Sequence, residues 1–184
     1  MGSTLTVDNI VGATAAGKIH IPGHVVNAQS VNFTGTQAHA YTTGNSYVDI
    51  TNLSITMTPA AADSKFLVSC IISCASDAHF VYLRLVRNGV AIALPDGSGS
   101  FNRQTASFGY SSLNNGSQNY DMIQVPFQTL DAPNTTSNVT YKVQFTGRAD
   151  TGTTRINRTT RDLDHSNGYD QRGVSTLTVM EIAQ

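Results

Sequence analysis

The chain has 184 residues, of which 40% are hydrophobic and 12% are charged, and its formal net charge at neutral pH is −1. This length suits one large domain or one domain with an appendage, and the near-zero charge gives no long-range field that would attract nucleic acid or an anionic membrane. A single glutamate stands against eleven aspartates, and three lysines against eight arginines, so the usual surface residues of helices are scarce and a nearly helix-free protein is expected.

The first 22 residues differ in composition from the rest of the chain. They combine the strand-like STLTV at Ser3–Val7 with a Gly- and Ala-rich stretch, Gly12–Gly17, that favours a flexible connection. We therefore predict an attachment segment over residues 1–22 and a folded domain over residues 23–184. The same pentapeptide recurs at Ser175–Val179, where it is expected to form the last strand of the domain.

The N-terminal pentapeptide can be interpreted in two ways. Its alternation of threonine with apolar residues suits addition as an extra strand to the sheet edge of another protein. In that arrangement Leu5 and Val7 would fill pockets of the partner, and Ile10 and Val11 would extend the apolar contact. Alternatively, it completes the sheet of its own domain by pairing with its C-terminal twin.

The remainder of the chain alternates short apolar runs with Gly, Asn, Asp and Ser, which predicts many short strands. The predicted strands are His24–Phe33, Tyr47–Thr58, Phe66–Ala75, Phe80–Arg87, Val90–Leu94, Phe101–Tyr110, Tyr120–Leu130, Val139–Thr146, Thr153–Asn157 and Val174–Ile182. In VTYKVQF the apolar residues recur at every second position, and Asn88-Gly89 between two apolar runs is a strong hairpin signal. This pattern is typical of an all-β protein built as an antiparallel sandwich or jelly roll.

Two irregularities refine the strand prediction. In YVDITNLSITMT the parity of the apolar residues changes across Thr51-Asn52, which predicts a β-bulge or a bend. Pro126 cannot donate a hydrogen bond to a neighbouring strand, so its strand is expected to lie at a sheet edge or to kink there.

Some predicted strands are apolar on both faces. In VYLRLV, Tyr82 and Val86 point to the face of the strand opposite to that of the alternating valine and leucine residues. In the last strand, Met180 and Ile182 likewise point to the face opposite to that of Leu177. A second apolar face is explained either by a covering loop or by contact with another subunit. We predict Met180 and Ile182 in a subunit interface.

The cysteines indicate assembly in a reducing compartment. Cys70 and Cys74 lie on one predicted strand, where their Cα atoms would be about 13 Å apart at about 3.3 Å per residue. That distance exceeds the span of a disulfide, so two buried free thiols are expected, and a metal site is the weaker alternative. The apolar run around them is too short to span a membrane, so no membrane insertion is expected.

The sequence contains no recognisable catalytic motif, so neither an enzyme nor a bound cofactor is expected. The segment RDLDHSNGYD contains four candidate calcium ligands, Asp162, Asp164, Ser166 and Asp170, but its spacing departs from that of an EF-hand loop. A solvated polar loop with no metal is the favoured interpretation.

Two long loop regions, Pro95–Tyr120 and Gly147–Gly173, mix aromatic residues with arginine, asparagine and glycine. Such a mixture suits recognition of a protein or a sugar. We predict that Tyr110, Arg158 and Tyr169 carry contact with a host surface.

Three stretches of the chain resemble small virion proteins of marine and cyanobacterial phages, of the kind described as tail-fibre or fibre-like proteins. They are TLTVDNIVGATAAGKIHIPGHVV, YVDITNLSITMTPAAADSKFLVSC, and the ending STLTVMEIA preceded by TYKVQFTGR. The resemblance implies a homotrimeric knob on the virion surface, assembled in the host cytoplasm. It also implies that the N-terminal segment binds a larger virion protein of the capsid, the portal or tail, or an adaptor. The composition of the two long loops predicts that any contact of the knob with a host glycan or protein is made there.

Several functions remain open within and outside this class. A receptor-binding tail fibre normally has a long shaft, which this sequence does not contain, so a small fibre or a decoration knob on the capsid or tail is at least as well supported. A capsid cement protein with only a stabilising role is an alternative, and a lectin-like carbohydrate-binding module outside any virion is another.

Overall fold

A computed structural model describes residues 21–42, 46–78, 80–97, 105–111, 120–148, 151–166 and 168–184. Within these ranges the chain forms strands and no helix. The strands are β1 (Val25–Phe33), β2 (Gln37–Tyr41), β3 (Val48–Met57), β4 (Lys65–Ser76), β5 (Phe80–Arg87), β6 (Val90–Ile92), β7 (Phe108–Ser111), β8 (Ile123–Asp131), β9 (Val139–Thr146), β10 (Gly152–Ile156) and β11 (Ser175–Ile182).

The strands form two antiparallel sheets that pack as a sandwich, as the sequence predicted. In sheet A the hydrogen-bonded neighbours follow the path β1, β11, β4, β10, β2. Strands β11 and β10 pair with successive parts of one edge of β4, and β8 pairs with the opposite edge. Sheet B contains β3, β9, β5 and β6, and β7 also pairs with β5. The core lies between the two sheets and is filled by alternate residues of their strands.

Strand β9 shows why the sequence folds this way. Val139, Tyr141, Val143 and Phe145 are fully buried, while the residues between them point to the outer face of sheet B and are half-buried. The predicted alternation is therefore confirmed.

The predicted hairpin, bulge and edge strand are all present. Asn88 and Gly89 have φ angles of 48° and 85°, the positive values that a tight two-residue hairpin turn requires. Asn52 has a φ of 58°, and the register between β3 and β9 shifts between Asp49 and Ser54, so a bulge reverses the parity of β3. Pro126 lies in β8, which among the described residues pairs only with β4.

The C-terminal copy of STLTV lies inside sheet A, between two neighbouring strands. Ser175–Val179 lies in β11, which pairs with β1 on one side and with β4 on the other. Both edges of β11 are therefore occupied by described strands, and the interpretation in which Ser3–Val7 completes the sheet of its own domain stays a prediction. The N-terminal copy itself, and with it most of the predicted attachment segment, lies outside the described residues.

Several strand predictions need correction. Residues Gln37–Tyr41 form β2, which the sequence analysis did not predict. The strand expected at Phe101–Tyr110 begins at Phe108, and residues 101–104 lie outside the described part of the chain. The strand predicted from Tyr120 begins at Ile123.

A polar cluster joins the two sheets at one end of the sandwich. Asp131, the last residue of β8, accepts hydrogen bonds from Arg87 of β5 at 2.7 and 2.9 Å and from the hydroxyl of Tyr141 in β9 at 2.6 Å. Burial, together with this hydrogen bond, raises the pKa of the Tyr141 hydroxyl above its usual value. The cluster ties an edge strand of sheet A to the centre of sheet B.

The two cysteines lie on β4 as buried free thiols, as the sequence predicted. Burial raises the pKa of Cys70 to about 12, and burial also raises the pKa of Cys74. Both groups therefore remain protonated at neutral pH and are poor nucleophiles and poor metal ligands.

Candidate functional site

The outer face of sheet A carries an apolar row that no other described element covers. Ala28, Met180, Leu67 and Leu130 are register partners across β1, β11, β4 and β8. Register partners in an antiparallel sheet share a face, so these four side chains lie side by side. Leu130 is 54% exposed, and Met180 and Leu67 are half-buried.

Further apolar side chains widen this row. Ile182 is half-buried beside the exposed Val25, and the exposed Ile71 is paired with Pro126. We call the set Val25, Ala28, Leu67, Ile71, Pro126, Leu130, Met180 and Ile182 the apolar face. A polar row of Ser30, Thr178, Ser69 and Gln128 separates Ile71 and Pro126 from the other members of this face. Exposed apolar side chains grouped in this way are typical of a contact with another protein.

The outer face of sheet B is different, because its side chains are linked by hydrogen bonds. Asp49 accepts from Lys142 at 2.9 Å and from Gln144 at 2.6 Å, and Gln144 in turn accepts from Arg84 at 2.8 Å. The Arg84 guanidinium lies 4.0 Å from the centre of the Tyr47 ring. The second face of β5 is thus covered by side chains of its own chain, whereas the apolar face of sheet A is not.

A polar loop between β10 and β11 projects from one end of the sandwich. Its base is fixed by the fully buried Asn157, whose side-chain amide donates to the carbonyls of Phe33 and Gly35 at 2.7 and 2.8 Å and accepts from Ser175 at 2.7 Å. An isolated β-bridge between Arg158 and Arg172 closes the loop. We call residues 158–172 the Arg158–Arg172 loop.

Two arginine–aspartate clusters stiffen this loop. In the first, Asp162 accepts hydrogen bonds from Arg172 at 2.9 and 3.0 Å and from Arg158 at 3.2 Å. These bonds, that from Arg172 above all, lower the pKa of the Asp162 carboxyl. The carboxylate therefore stays ionised and bound to its arginines at neutral pH.

The second cluster joins the loop to an aromatic ring. Arg161 donates to Asp170 at 2.9 Å and to the Tyr120 hydroxyl at 2.9 Å, and its guanidinium lies 4.3 Å from the centre of the Tyr120 ring. The hydrogen bond from Arg161 is the main cause of the lowered pKa of Asp170. Thr159 connects the two clusters, because its hydroxyl donates to Asp170 at 2.7 Å and accepts from the backbone N–H of Asp162 at 3.0 Å.

Exposed aromatic rings line a cleft beside the second cluster. Tyr120 and Tyr169 are 39% and 57% exposed, and their rings meet edge to face with 5.9 Å between centres. His165 stacks on Tyr169 at 6.3 Å. The described residues that line the cleft, about 410 Å³ in volume, are these two tyrosines, and we call it the aromatic cleft.

A second cleft of about 380 Å³ lies on the same loop, and its described lining residues are Asp162, Leu163, Asp164, Asp170 and Arg172. Two of the three carboxylates considered for calcium, those of Asp162 and Asp170, are occupied by arginine donors. Among the described residues there is no group of three or more His, Cys, Asp or Glu side chains placed to hold a metal ion.

The residues predicted for host contact have different surroundings. Tyr169 is exposed and lines the aromatic cleft, whereas Arg158 is half-buried in its contact with Asp162. Tyr110 lies in β7, where its ring packs half-buried against the core and burial raises the pKa of its hydroxyl. Met180 and Ile182 lie on the apolar face. The predicted attachment residues Leu5, Val7, Ile10 and Val11 lie outside the described residues.

Three residues with structural roles were not predicted from the sequence. Tyr120 was assigned to a strand, and Arg161 was not connected with the aspartates that follow it. Glu181, the one glutamate of the chain, is buried and accepts the backbone N–H of Ala60 at 2.6 Å. The burial of Glu181 could have been predicted, because Glu181 follows the buried Leu177 by an even number of residues on one strand and therefore points to the same face.

A serine–histidine contact lies elsewhere, near the end of β2. The Nε2 atom of His39 is 3.1 Å from the Ser46 hydroxyl but also 2.7 Å from the Ser46 carbonyl oxygen. A carbonyl can only accept a hydrogen bond, so Nε2 carries the proton in this geometry and is not available as a base for the serine.

Among the described residues, no helix has the length and apolar character needed to cross a membrane.

Comparison with known protein families finds no match, and neither does comparison with curated proteins. Similar solved structures include T=1 particles derived from infectious bursal virus, with 10% identity and a TM-score of 0.40. They also include the infectious bursal disease virus Gx strain and a VP2 subviral particle of that virus, each with 10% identity and TM-scores of 0.38 and 0.39. Each likeness covers all of this chain but only 41% to 43% of the other chain, so the chain spans about two-fifths of their length.

Proposed function

We propose that the protein is a structural component of a phage virion, a small homotrimeric fibre or decoration knob. In this proposal the sandwich is the exposed head, residues 1–22 bind a larger protein of the capsid, the portal or tail, or an adaptor, and loops of the head contact the host surface. The protein performs no catalysis. The proposal joins the sequence resemblance to phage fibre-like proteins with one structural observation, the uncovered apolar face of sheet A.

The apolar face supports self-association. The exposed and half-buried leucine, isoleucine and methionine side chains of the apolar face gain free energy when a second protein covers them, at about 25 cal/mol per Å² of apolar area. The hydrogen-bonded outer face of sheet B offers no comparable gain. The proposed trimer therefore buries the apolar face between copies and leaves sheet B in contact with solvent.

The pairing of β11 supports the anchoring role of the N-terminal segment. Because both sides of β11 are occupied by β1 and β4, the segment containing Leu5 and Val7 has no place beside its twin. It is therefore available to add as a strand to a sheet of another virion protein. Three anchors on one trimer would strengthen weak individual contacts by raising their effective concentration.

Self-association is tested with the change Ile182→Asp, compared with Val90→Asp as a control. Val90 is 66% exposed and lies beside the β5–β6 hairpin turn, away from the apolar face. We expect trimers in sedimentation experiments for the wild type and for Val90→Asp, and monomers or aggregates for Ile182→Asp. A monomeric wild-type protein at micromolar concentration would refute the assembly.

The virion role is tested by deleting residues 2–21. We expect the truncated protein to remain folded and trimeric but no longer to co-purify with phage particles. If the truncated protein unfolds, the segment is part of the domain and the anchoring role is wrong. If it still joins particles at a fixed copy number, the anchor lies elsewhere.

A further inference from the structure

We infer that the aromatic cleft lined by Tyr120 and Tyr169 binds a neutral saccharide. The inference extends the adhesive part of the proposed function and names its ligand class. It rests on three properties of the cleft: exposed rings held in fixed positions, a balanced local charge, and hydrogen-bonding groups left over at the rim.

The two rings are held in place before any ligand arrives. Tyr120 is fixed by Arg161, which both stacks on its ring and donates to its hydroxyl. Arg161 is itself held by Asp170, and Tyr169 is supported by His165 and by its edge-to-face contact with Tyr120. A ligand that packs on these rings therefore pays little conformational entropy for ordering them.

The exposed rings favour a ligand with an apolar face. A ring that is 57% exposed at the end of a rigid loop leaves apolar area in water, and covering that area is favourable. The C–H face of a pyranose ring is flat, apolar and close in size to a tyrosine ring. The cleft, at about 410 Å³, lies within the range of small-molecule sites.

The charge of the loop favours an uncharged ligand. Residues 158–172 contain three arginines and three aspartates, and the described arginines are paired with Asp162 and Asp170 at 2.9 to 3.2 Å. Their fields cancel at a short distance, so neither an acidic nor a basic ligand gains much from them. A neutral sugar is selected over a sialylated or phosphorylated one.

Groups at the rim match the hydroxyls of a sugar. The Tyr120 hydroxyl accepts a hydrogen bond from Arg161, and among the described residues none accepts its own proton, which can be donated to a ligand. A guanidinium has five N–H donors, and the contacts described above for Arg161 do not use all of them. The Asp170 carboxylate is only 5% exposed and already accepts from Arg161 and Thr159, so the groups that can bind sugar hydroxyls are the Tyr120 hydroxyl and the Arg161 guanidinium.

The test is saturation-transfer NMR on the full-length protein with maltotriose, cellotriose and lactose as neutral probes and sialyllactose as the acidic probe. We expect transfer to at least one neutral sugar, competition within the neutral set, and weaker transfer to sialyllactose. The variant Tyr169→Ala should weaken binding at least about tenfold, a loss of roughly 1.4 kcal/mol, whereas Tyr169→Phe retains the ring and should bind as the wild type does.

Val90→Ala serves as the control for an exposed apolar residue on a distant hairpin, and an unchanged thermal midpoint shows that each variant is folded. The inference is overturned if the wild type shows no transfer to any neutral probe, if it prefers the acidic probe, or if Tyr169→Ala binds as well as the wild type.

Sedimentation and particle incorporation of the same variants separate the two proposals. Loss of sugar binding with normal trimers and incorporation rejects only the saccharide site, whereas sugar binding by a monomer that never joins particles rejects the virion role and supports a lectin-like module.

Discussion

Replacing Asp131 by asparagine tests the polar cluster that joins the two sheets. The carboxylate of Asp131 receives two hydrogen bonds from Arg87 and one from Tyr141, all between 2.6 and 2.9 Å. The substitution keeps the size of the side chain but removes its charge and one of its two accepting oxygens. Arg87 then loses its counter-ion, and the hydroxyl of the fully buried Tyr141 must compete with Arg87 for the remaining oxygen.

The expected cost follows from the burial of the three groups. Hydrogen bonds to a charged group contribute about 1.5–3 kcal/mol each when one partner is removed, and breaking a fully buried ion pair costs about 3–5 kcal/mol. The Asp131 side chain is only 13% exposed but Arg87 is 30% exposed, so water partly solvates the freed guanidinium. We expect Asp131→Asn to lower the free energy of unfolding by about 2–3 kcal/mol, which corresponds to a fall in Tm of roughly 4–12 °C for a chain of this size.

The measurement is thermal and urea unfolding followed by far-ultraviolet circular dichroism at one protein concentration, because the stability of an oligomer depends on concentration. Asp49→Asn is the matched control, since Asp49 also accepts hydrogen bonds from a cation and a neutral donor but its side chain is 42% exposed. Exposed ion pairs contribute about 0–1 kcal/mol. If the two substitutions change stability by the same amount within about 0.5 kcal/mol, the inter-sheet cluster does not have the role assigned to it.

Three further outcomes are expected. Cys70 and Cys74 should resist thiol reagents in the native protein and both react after denaturation without reductant; fewer than two thiols in the denatured count would contradict free cysteines. The free energy of unfolding should fall as the pH rises from about 8.5, where the thiols of the unfolded chain ionise, toward about 12. The reason is that the folded protein keeps the Cys70 proton, whereas the unfolded chain releases it. A urea midpoint that stays constant from pH 8 to 10.5 would contradict the raised pKa. Gly109→Ala should destabilise the protein by at least about 1–3 kcal/mol, because an added Cβ would lie 2.3 Å from the Val81 carbonyl oxygen, whereas Gly97→Ala, with its nearest neighbour at 3.6 Å, should leave the urea midpoint unchanged.

The elements that could be predicted from sequence are those determined by local patterns. The alternation in β9, the two positive φ angles at Asn88-Gly89 and the parity change at Asn52 each follow from a few adjacent residues. Strand β2 was missed because QAHAY contains no β-branched residue, and it forms a strand through its pairing with β10. Here the tertiary partner decides the conformation, and the local sequence carries little information about it.

The surfaces were predicted less completely than the strands. The parity of β11 identified Met180 and Ile182 as outward-facing, but the row they share with Leu67 and Leu130 depends on register between distant strands. In the Arg158–Arg172 loop the aspartates suggested calcium, and the equal number of arginines was an available signal for ion pairing. That Arg161 would cross to Tyr120, 41 residues away in sequence, could not be read from the sequence.

The pairing of β1 with β11 has a consequence for synthesis of the protein. About 140 residues separate the end of β1 from the start of β11, and a ribosome adds about 5–20 residues per second. For roughly 7–28 s, therefore, β1 waits for its partner as a nine-residue strand without a charged residue or a proline, the kind of segment that pairs readily with other chains. Sheet A can close only after the last strand has been made, so the protein is expected to need chaperone protection or low expression temperature, and slower translation late in the message should increase its aggregation.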